Sequence, residues 1–314
     1  MDTWFISLQK VELASVNIIK FYFLLISCGV IFIGFFINFY ERFLPSFILK
    51  TFRSGKHGYK GHTSIPTIEF PKSSFKQFYA VGLICMAFAY IIIFSTCILG
   101  NQVPKFVCDF LYALTGKKNN VPNVSSTKVF IAATLLNLQI GRRYYETHYV
   151  SIFGRNSKIN FTHWLIGITY YPMVILALIS ETPNFTNSEL QIARLSDVGI
   201  IDFLAIFIFM WAWWHQHVCT AILANLRKTK KSIVDDYKLP MGDWFQYFSS
   251  PHYIAEIIMY VALTTFQWQS TTWWFVMLWI FSNQIESILL SHWWYQETFQ
   301  DFPTNRKALI PCIY

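Results

Sequence analysis

Apolar residues run along this chain in blocks of about 20, the length a helix needs to cross a bilayer, with polar stretches between them. Seven such blocks stand out, at 18–39, 77–100, 127–149, 163–182, 199–224, 253–269 and 272–298. A further apolar segment, 105–115, is too short to cross and reads as interfacial or re-entrant. The pattern predicts an all-α integral membrane protein, a bundle of about seven transmembrane helices forming one membrane-embedded domain over 1–314. The stretch before the first block carries Asp2, Lys10 and Glu12 and lacks the character of a cleaved leader. The block after it is too long for a signal-peptide core, so it is expected to remain as a membrane helix.

Composition agrees. Of 314 residues, 54% are hydrophobic and 13% charged, with a mean hydropathy of +0.37. A soluble domain of this size carries roughly a quarter charged residues. The net charge of +8 fits basic loops on one face of the membrane rather than nucleic-acid binding. Most of the 25 Lys and Arg fall in the loops 40–76, 150–162, 225–252 and the tail. The opposite side holds only Lys10, Lys105, Lys117, Lys118 and Arg194, so the positive-inside rule puts the C-terminus in the cytoplasm. Asn184-Phe185-Thr186 would then be a lumenal glycosylation sequon and Asn160-Phe161-Thr162 a hidden one, a weak signal in either case. The six cysteines lack ligand spacing, so neither a disulfide framework nor a metal site is expected.

Candidate chemistry lies where charge enters the spans, because a charge there is costly without a partner or a task. In the third span Arg142 and Arg143 sit within one helical turn of Glu146, suited to an ion pair; a snorkelling basic anchor would look the same. His215 and His217 face different sides of the fifth span and so do not make an i,i+4 zinc pair. Gly242-Asp243 forms a turn, Pro251 starts the sixth span, and His252 and Glu256 share a face of it. The seventh span carries Asn283, Glu286, Ser291, His292 and Tyr295, more polarity than a purely structural helix needs.

The stretches Asn225-Leu226-Arg227, Tyr237-Lys238-Leu239-Pro240, Gly242-Asp243-Trp244-Phe245, Ser249 to Glu256 and His292 to Pro311 resemble the steroid 5α-reductase family. Within it, HQHVCTAILANLRK, MGDWFQYFSSPHY and FPKSSFKQFY are most similar to the polyprenol (polyprenal) reductase branch. The resemblance implies an NADPH-dependent oxidoreductase acting on a CH–CH bond at the endoplasmic reticulum, with a long-chain isoprenoid, polyprenal or polyprenol, as substrate and dolichol for protein glycosylation as the pathway product. It places Arg143, Arg227, Tyr237, Lys238, His252, Glu256, Tyr295 and Arg306 among the cofactor contacts. No GxGxxG occurs, so basic side chains must take over phosphate binding. The His-Tyr pair of the steroid enzymes is Gln139-Ile140 here, and their Asn and Asp before the basic loop are Gln216 and Thr220, which argues for a different carbonyl.

Hydride adds to a double bond when an adjacent group accepts the negative charge, which an α,β-unsaturated aldehyde does and an allylic alcohol does not. Polyprenal is therefore the expected immediate substrate. Candidate acids are Tyr295, His292, Tyr79 and Glu69. A steroid 5α-reductase or trans-2-enoyl-CoA reductase would share fold and cofactor but differ in substrate. A seven-span transporter or receptor would line a path across the membrane with polarity, whereas here polarity gathers at one face.

Overall fold

The computed structural model describes residues 16–53, 58, 61, 66–116, 124–154, 157–186, 190–228 and 237–309. The leader reading on the first residues, Lys117, Lys118, Lys230, Lys231, Cys312 and the end of the His292-to-Pro311 stretch lie outside them. Among the described residues the regular structure is helical, apart from one two-stranded ribbon and an isolated bridge.

Helix α1 spans Ile18–Tyr40, with the Asn17 side chain accepting from the Lys20 amide at 3.0 Å as its N-cap. Its buried positions, Ile19, Phe23, Ser27, Gly34 and Ile37, make one narrow stripe. Phe21, Phe32 and Phe35 face outward, as expected where the surroundings are lipid. A short α2 (Ser46–Phe52) follows, then α3 (Phe75–Cys97), whose inward stripe Phe78, Gly82, Met86, Ala89 and Ile93 repeats every three or four residues. Helix α4 (Lys105–Thr115) is the short segment expected between spans; Gly116, at φ 72°, ends it. Helix α5 (Ser126–Tyr145) runs into a π turn, Glu146–Val150. Then come α6 (Phe161–Ile179), α7 (Ile200–Lys228), α8 (Pro251–Gln267, with proline in its first turn) and α9 (Thr271–Thr298).

Helices coincide with all seven predicted spans, but length and composition mark only five as able to cross a membrane among the described residues. The exceptions are α5, which carries Lys128, Gln139, Arg142 and Arg143, and α8, which has 17 residues. Half of α5 and most of α8 are buried, so neighbouring helices rather than lipid solvate most of their polar groups. The main packing pairs are α7 with α8, α3 with α5 and α6, α1 with α9, and α8 with α9. Close approach is set by small residues: a Cβ on Gly167 would lie 2.3 Å from the Phe78 ring, and one on Gly34 would lie 2.7 Å from the Glu286 carboxylate.

At one end of the bundle, Glu181 caps α9. Its carboxylate accepts from the Thr271 and Thr272 amides at 2.8 and 2.9 Å and from both hydroxyls. Burial raises its pKa, but these donors outweigh burial and hold the carboxyl below its ordinary value. Asn184 is also used internally: it accepts from Ser126 at 3.0 Å and exchanges hydrogen bonds with the Gln191 backbone. It is 3% exposed, which removes the expected sequon from the surface.

At the other end the basic loops converge. Strand β1 (Glu69–Pro71) pairs antiparallel with β2 (Lys158–Asn160), joining loop 40–76 to loop 150–162. Arg227 donates to the Ile152 carbonyl. The tail returns to the 237–250 segment through a parallel bridge between Phe248 and Lys307, with Ser249 N–H donating to Lys307 O at 3.0 Å and Lys307 N–H to Tyr247 O at 2.8 Å.

Candidate active site

The polar groups that α5, α7 and α8 turn inward meet in one buried cluster. Arg142 and Arg143 both reach back to Glu146, at 3.4 and 2.5 Å, as the helical spacing predicts. The Glu146 side chain is fully enclosed and also takes His217 Nδ1 at 2.8 Å. Arg142 stacks over Trp213, its carbon 4.7 Å from the ring centre, and donates to Gln139 at 2.7 Å and to Gln216. Gln139 donates to Gln216 at 2.9 Å and to Glu256 at 3.1 Å; Gln216 also donates to Glu256 and to the His252 carbonyl. Two cations, two carboxylates and two amides thus partner one another in a region that water barely reaches, with Arg142 Nε and Nη1 lacking a hydrogen-bond acceptor among the described residues. Such a network is affordable only when nearly every member is paired.

Gln139 and Gln216 stood out in the sequence only as departures from the steroid pattern. The structure shows them as one device: they bond to each other and both hold the Glu256 carboxylate. Their signal in the sequence was a polar side chain in each of two inward-facing stripes, which becomes informative only when the two helices are known to touch. The histidines divide as expected from their spacing. His217 serves Glu146, while His215 binds Asp243 at 3.0 Å and stacks on Trp244 at 4.5 Å. That contact pins the Gly242-Asp243 turn, where φ is 93° and 45°, onto α7.

Beside the cluster, Arg143 donates to the Tyr79 hydroxyl through Nη2 at 3.2 Å and Nε at 3.4 Å, and its carbon lies 5.1 Å from the centre of that ring. Tyr79 packs against Tyr171 with centroids 5.5 Å apart. Thr220 touches Arg143 at 3.5 Å.

A second group lies at the converged loops. Arg306 is 2% exposed, with Phe302 5.6 Å below its guanidinium and Met241 sulfur 2.9 Å from Nη2. Its Nε and Nη1 have no acceptor among the described residues. Burial lowers its pKa and neighbouring Tyr295 opposes that shift; a guanidinium is in any case a cation at neutral pH. Buried guanidinium N–H groups without an acceptor are what an anionic ligand supplies with oxygens, so these residues fit a phosphate-bearing dinucleotide. Tyr295 is buried against Trp294 and Phe299. Tyr237 sits edge-on to Trp294 at 4.9 Å. Arg227 and Lys238 are exposed at the rim.

Other expected residues lie elsewhere. His292 Nδ1 is 2.7 Å from the Ser249 hydroxyl, with its ring edge against Phe302, so it fastens α9 to the tail segment. Glu69, in β1, pairs with Lys158 at 3.1 Å and Lys50 at 3.8 Å on the outer ribbon. Glu286 faces α1 and accepts from Asn38 at 3.0 Å, so the polar positions of the seventh span serve separate neighbours rather than one stripe.

The sequence profile described as 3-oxo-5-alpha-steroid 4-dehydrogenase matches residues 191–314. A curated polyprenal reductase of Drosophila melanogaster is 35% identical over 308 residues, covering 95% of this chain and 94% of its own length. Those of Homo sapiens and Caenorhabditis elegans are 32% and 28% identical, covering 78% and 87% of this chain and 78% and 88% of their own lengths.

Proposed function

This chain belongs to the steroid 5α-reductase family, as a member similar to its polyprenal reductases, and we propose that it reduces the α-isoprene double bond of polyprenal to give dolichal. It is an oxidoreductase of carbon–carbon double bonds and a multi-pass membrane protein. We propose NADPH as reductant, seven crossings, residence in the endoplasmic reticulum with the C-terminus cytoplasmic, and dolichol for glycosylation as the eventual product.

The observation that carries the cofactor reading is Arg306, a buried cation with two donors lacking an acceptor among the described residues. In this reading Arg306 takes a phosphate, and Arg227 and Lys238 add positive charge at the rim. Glu256, already oriented by two amides through one oxygen, presents its carboxylate to a hydrogen-bond donor on the ligand. Tyr237, His252 and Tyr295 complete the wall by the family pattern, while Arg143, which the same pattern assigns to it, is engaged with Tyr79 and Glu146. When bound, NADPH supplies the hydride.

The protein's part is to place the enal and manage charge on its oxygen. As the β-carbon gains hydride, the π electrons move toward the carbonyl, and a preorganised donor lowers the energy of the oxygen that receives them. A proton then completes the α-carbon. The isoprenoid tail stays among the apolar outer faces of the bundle while the aldehyde reaches the polar cluster.

Purified protein with NADPH should convert polyprenal to dolichal and leave polyprenol untouched, with a 3-oxo-Δ4-steroid as parallel substrate. Reduction of the steroid but not the enal would move the protein to the steroid branch. Reduction of polyprenol without an aldehyde stage would overturn the electronic argument.

A further inference from the structure

We propose that Tyr79 holds the substrate's carbonyl oxygen as hydrogen-bond donor and acid, and that Glu146 and His217 position Arg143 against the Tyr79 hydroxyl. This rests on the enal reduction proposed above and assigns the acid that reaction needs.

Four side chains were candidates for the acid, and their surroundings separate them. His292 is engaged with Ser249, and Glu69 is taken up by Lys158 and Lys50 on the outer ribbon, away from the polar cluster. Tyr295 is 6% exposed and enclosed by Trp294 and Phe299. Tyr79 is half-buried, and its oxygen is already an acceptor: both contacts to Arg143 are donated by the guanidinium. The Tyr79 hydroxyl proton has no acceptor among the described residues, so it is available to a ligand oxygen. A phenol that accepts from a cation while donating elsewhere is a stronger donor, because charge left on its oxygen is stabilised in advance.

Arg143 keeps that pose through Glu146. One Glu146 oxygen takes Arg143, and the other takes His217 from α7 and Arg142 from α5. Without the carboxylate, the adjacent cations of Arg142 and Arg143 would repel inside a poorly solvated space. The backbone is adapted at this point: Glu146 opens the π turn, a local unwinding that frequently marks functional positions. Thr220, one turn beyond His217 on α7, adds a contact to Arg143. His217 is one-third exposed and forms the outer end of the chain His217–Glu146–Arg143–Tyr79.

The step balances. The β-carbon gains hydride, the π pair shifts so that the carbonyl oxygen takes the Tyr79 proton, and the phenolate rests on Arg143. Water then protonates the α-carbon, leaving hydroxide to the solvent, as the enol oxygen returns its proton to Tyr79; the net change is uptake of one hydride and one solvent proton.

The test uses the full-length protein in detergent, with three readouts: steady-state kinetics, NADPH binding by tryptophan fluorescence, and the ultraviolet shift of geranial bound without NADPH, which reports polarisation of its carbonyl. Tyr79→Phe should lower kcat about 100-fold or more, with NADPH affinity unchanged and the geranial shift lost. Glu146→Gln and His217→Leu should lower kcat roughly tenfold at constant KM for NADPH and shrink the shift, and Glu146→Asp should restore part of both. If Glu146→Gln does not fold, His217→Leu and Tyr79→Phe still decide. Wild-type kcat in Tyr79→Phe overturns the proposal while leaving the enal reading intact. So does a kcat loss in His217→Leu that tracks lost thermal stability with a full geranial shift. No turnover of any enal by the wild type would remove the functional reading and this proposal together.

Discussion

Replacing Arg306 with methionine separates a cofactor contact from a structural one, because the two roles predict opposite signs. Arg306 is 2% exposed, its guanidinium meets the Met241 sulfur and the Phe302 ring, and two of its nitrogens are unserved among the described residues. An uncompensated buried cation costs several kcal/mol, and apolar replacement of buried ions often stabilises by about 1–4 kcal/mol. Loss of the stacking contact offsets roughly 0.5–1 kcal/mol of that gain. The unliganded Arg306→Met protein should therefore be at least as stable as wild type. With NADPH the order reverses. At 100 times Kd a ligand stabilises by about 2.7 kcal/mol. Two charge-assisted hydrogen bonds contribute about 3 kcal/mol together, or roughly 100-fold in Kd. At the same NADPH concentration the variant would then keep only about 0.4 kcal/mol of stabilisation. Thermal unfolding in detergent, with and without NADPH, reads both quantities. A variant that is less stable unliganded yet keeps the full NADPH shift would show that Arg306 is a structural residue and refute the argument.

Glu181→Gln should cost about 2 kcal/mol at neutral pH, because the four donors at the start of α9 lose their charged acceptor. The folded-state pKa of Glu181 lies below the ordinary 4.5, so its contribution is present above that value and lost as pH falls through the folded pKa. Wild type and variant should converge in acid; a constant gap down to the acid end would refute the assignment. Gly167→Ala should destabilise by about 1–3 kcal/mol by driving a methyl into the Phe78 ring, with Phe78→Leu restoring part of the loss. Gln139→Leu and Gln216→Leu should be non-additive in a double-mutant cycle, with a coupling of about 0.5–3 kcal/mol, since they share Glu256; additive losses would mean they act separately.

Spans were legible because the bilayer imposes a length and a hydropathy that one segment reveals without its neighbours. The Arg142–Arg143–Glu146 contacts were legible for a similar reason, being set by helical spacing alone. The partners of His217, Gln139, Gln216 and Glu286 were not, because each lies on another helix and no local spacing encodes which stripes meet. Asn184 shows the same limit: the triplet reads as a surface signal until Ser126 and Gln191 are found around it. The α5 and α8 helices fall short of the length and hydropathy that mark a span, since a helix shielded by its neighbours tolerates polar residues that a lipid-facing one does not.

The stitching of Lys307 to Tyr247 and Ser249 has a consequence for biosynthesis. Arg306 follows every described helix in chain order, so it leaves the ribosome after α1 through α9 have been made. Until that strand docks, the converged loops lack their buried guanidinium. If Arg306 takes a phosphate as proposed, the bundle can be inserted yet incompetent for that ligand, and the docking of a few residues separates an integrated chain from a finished one.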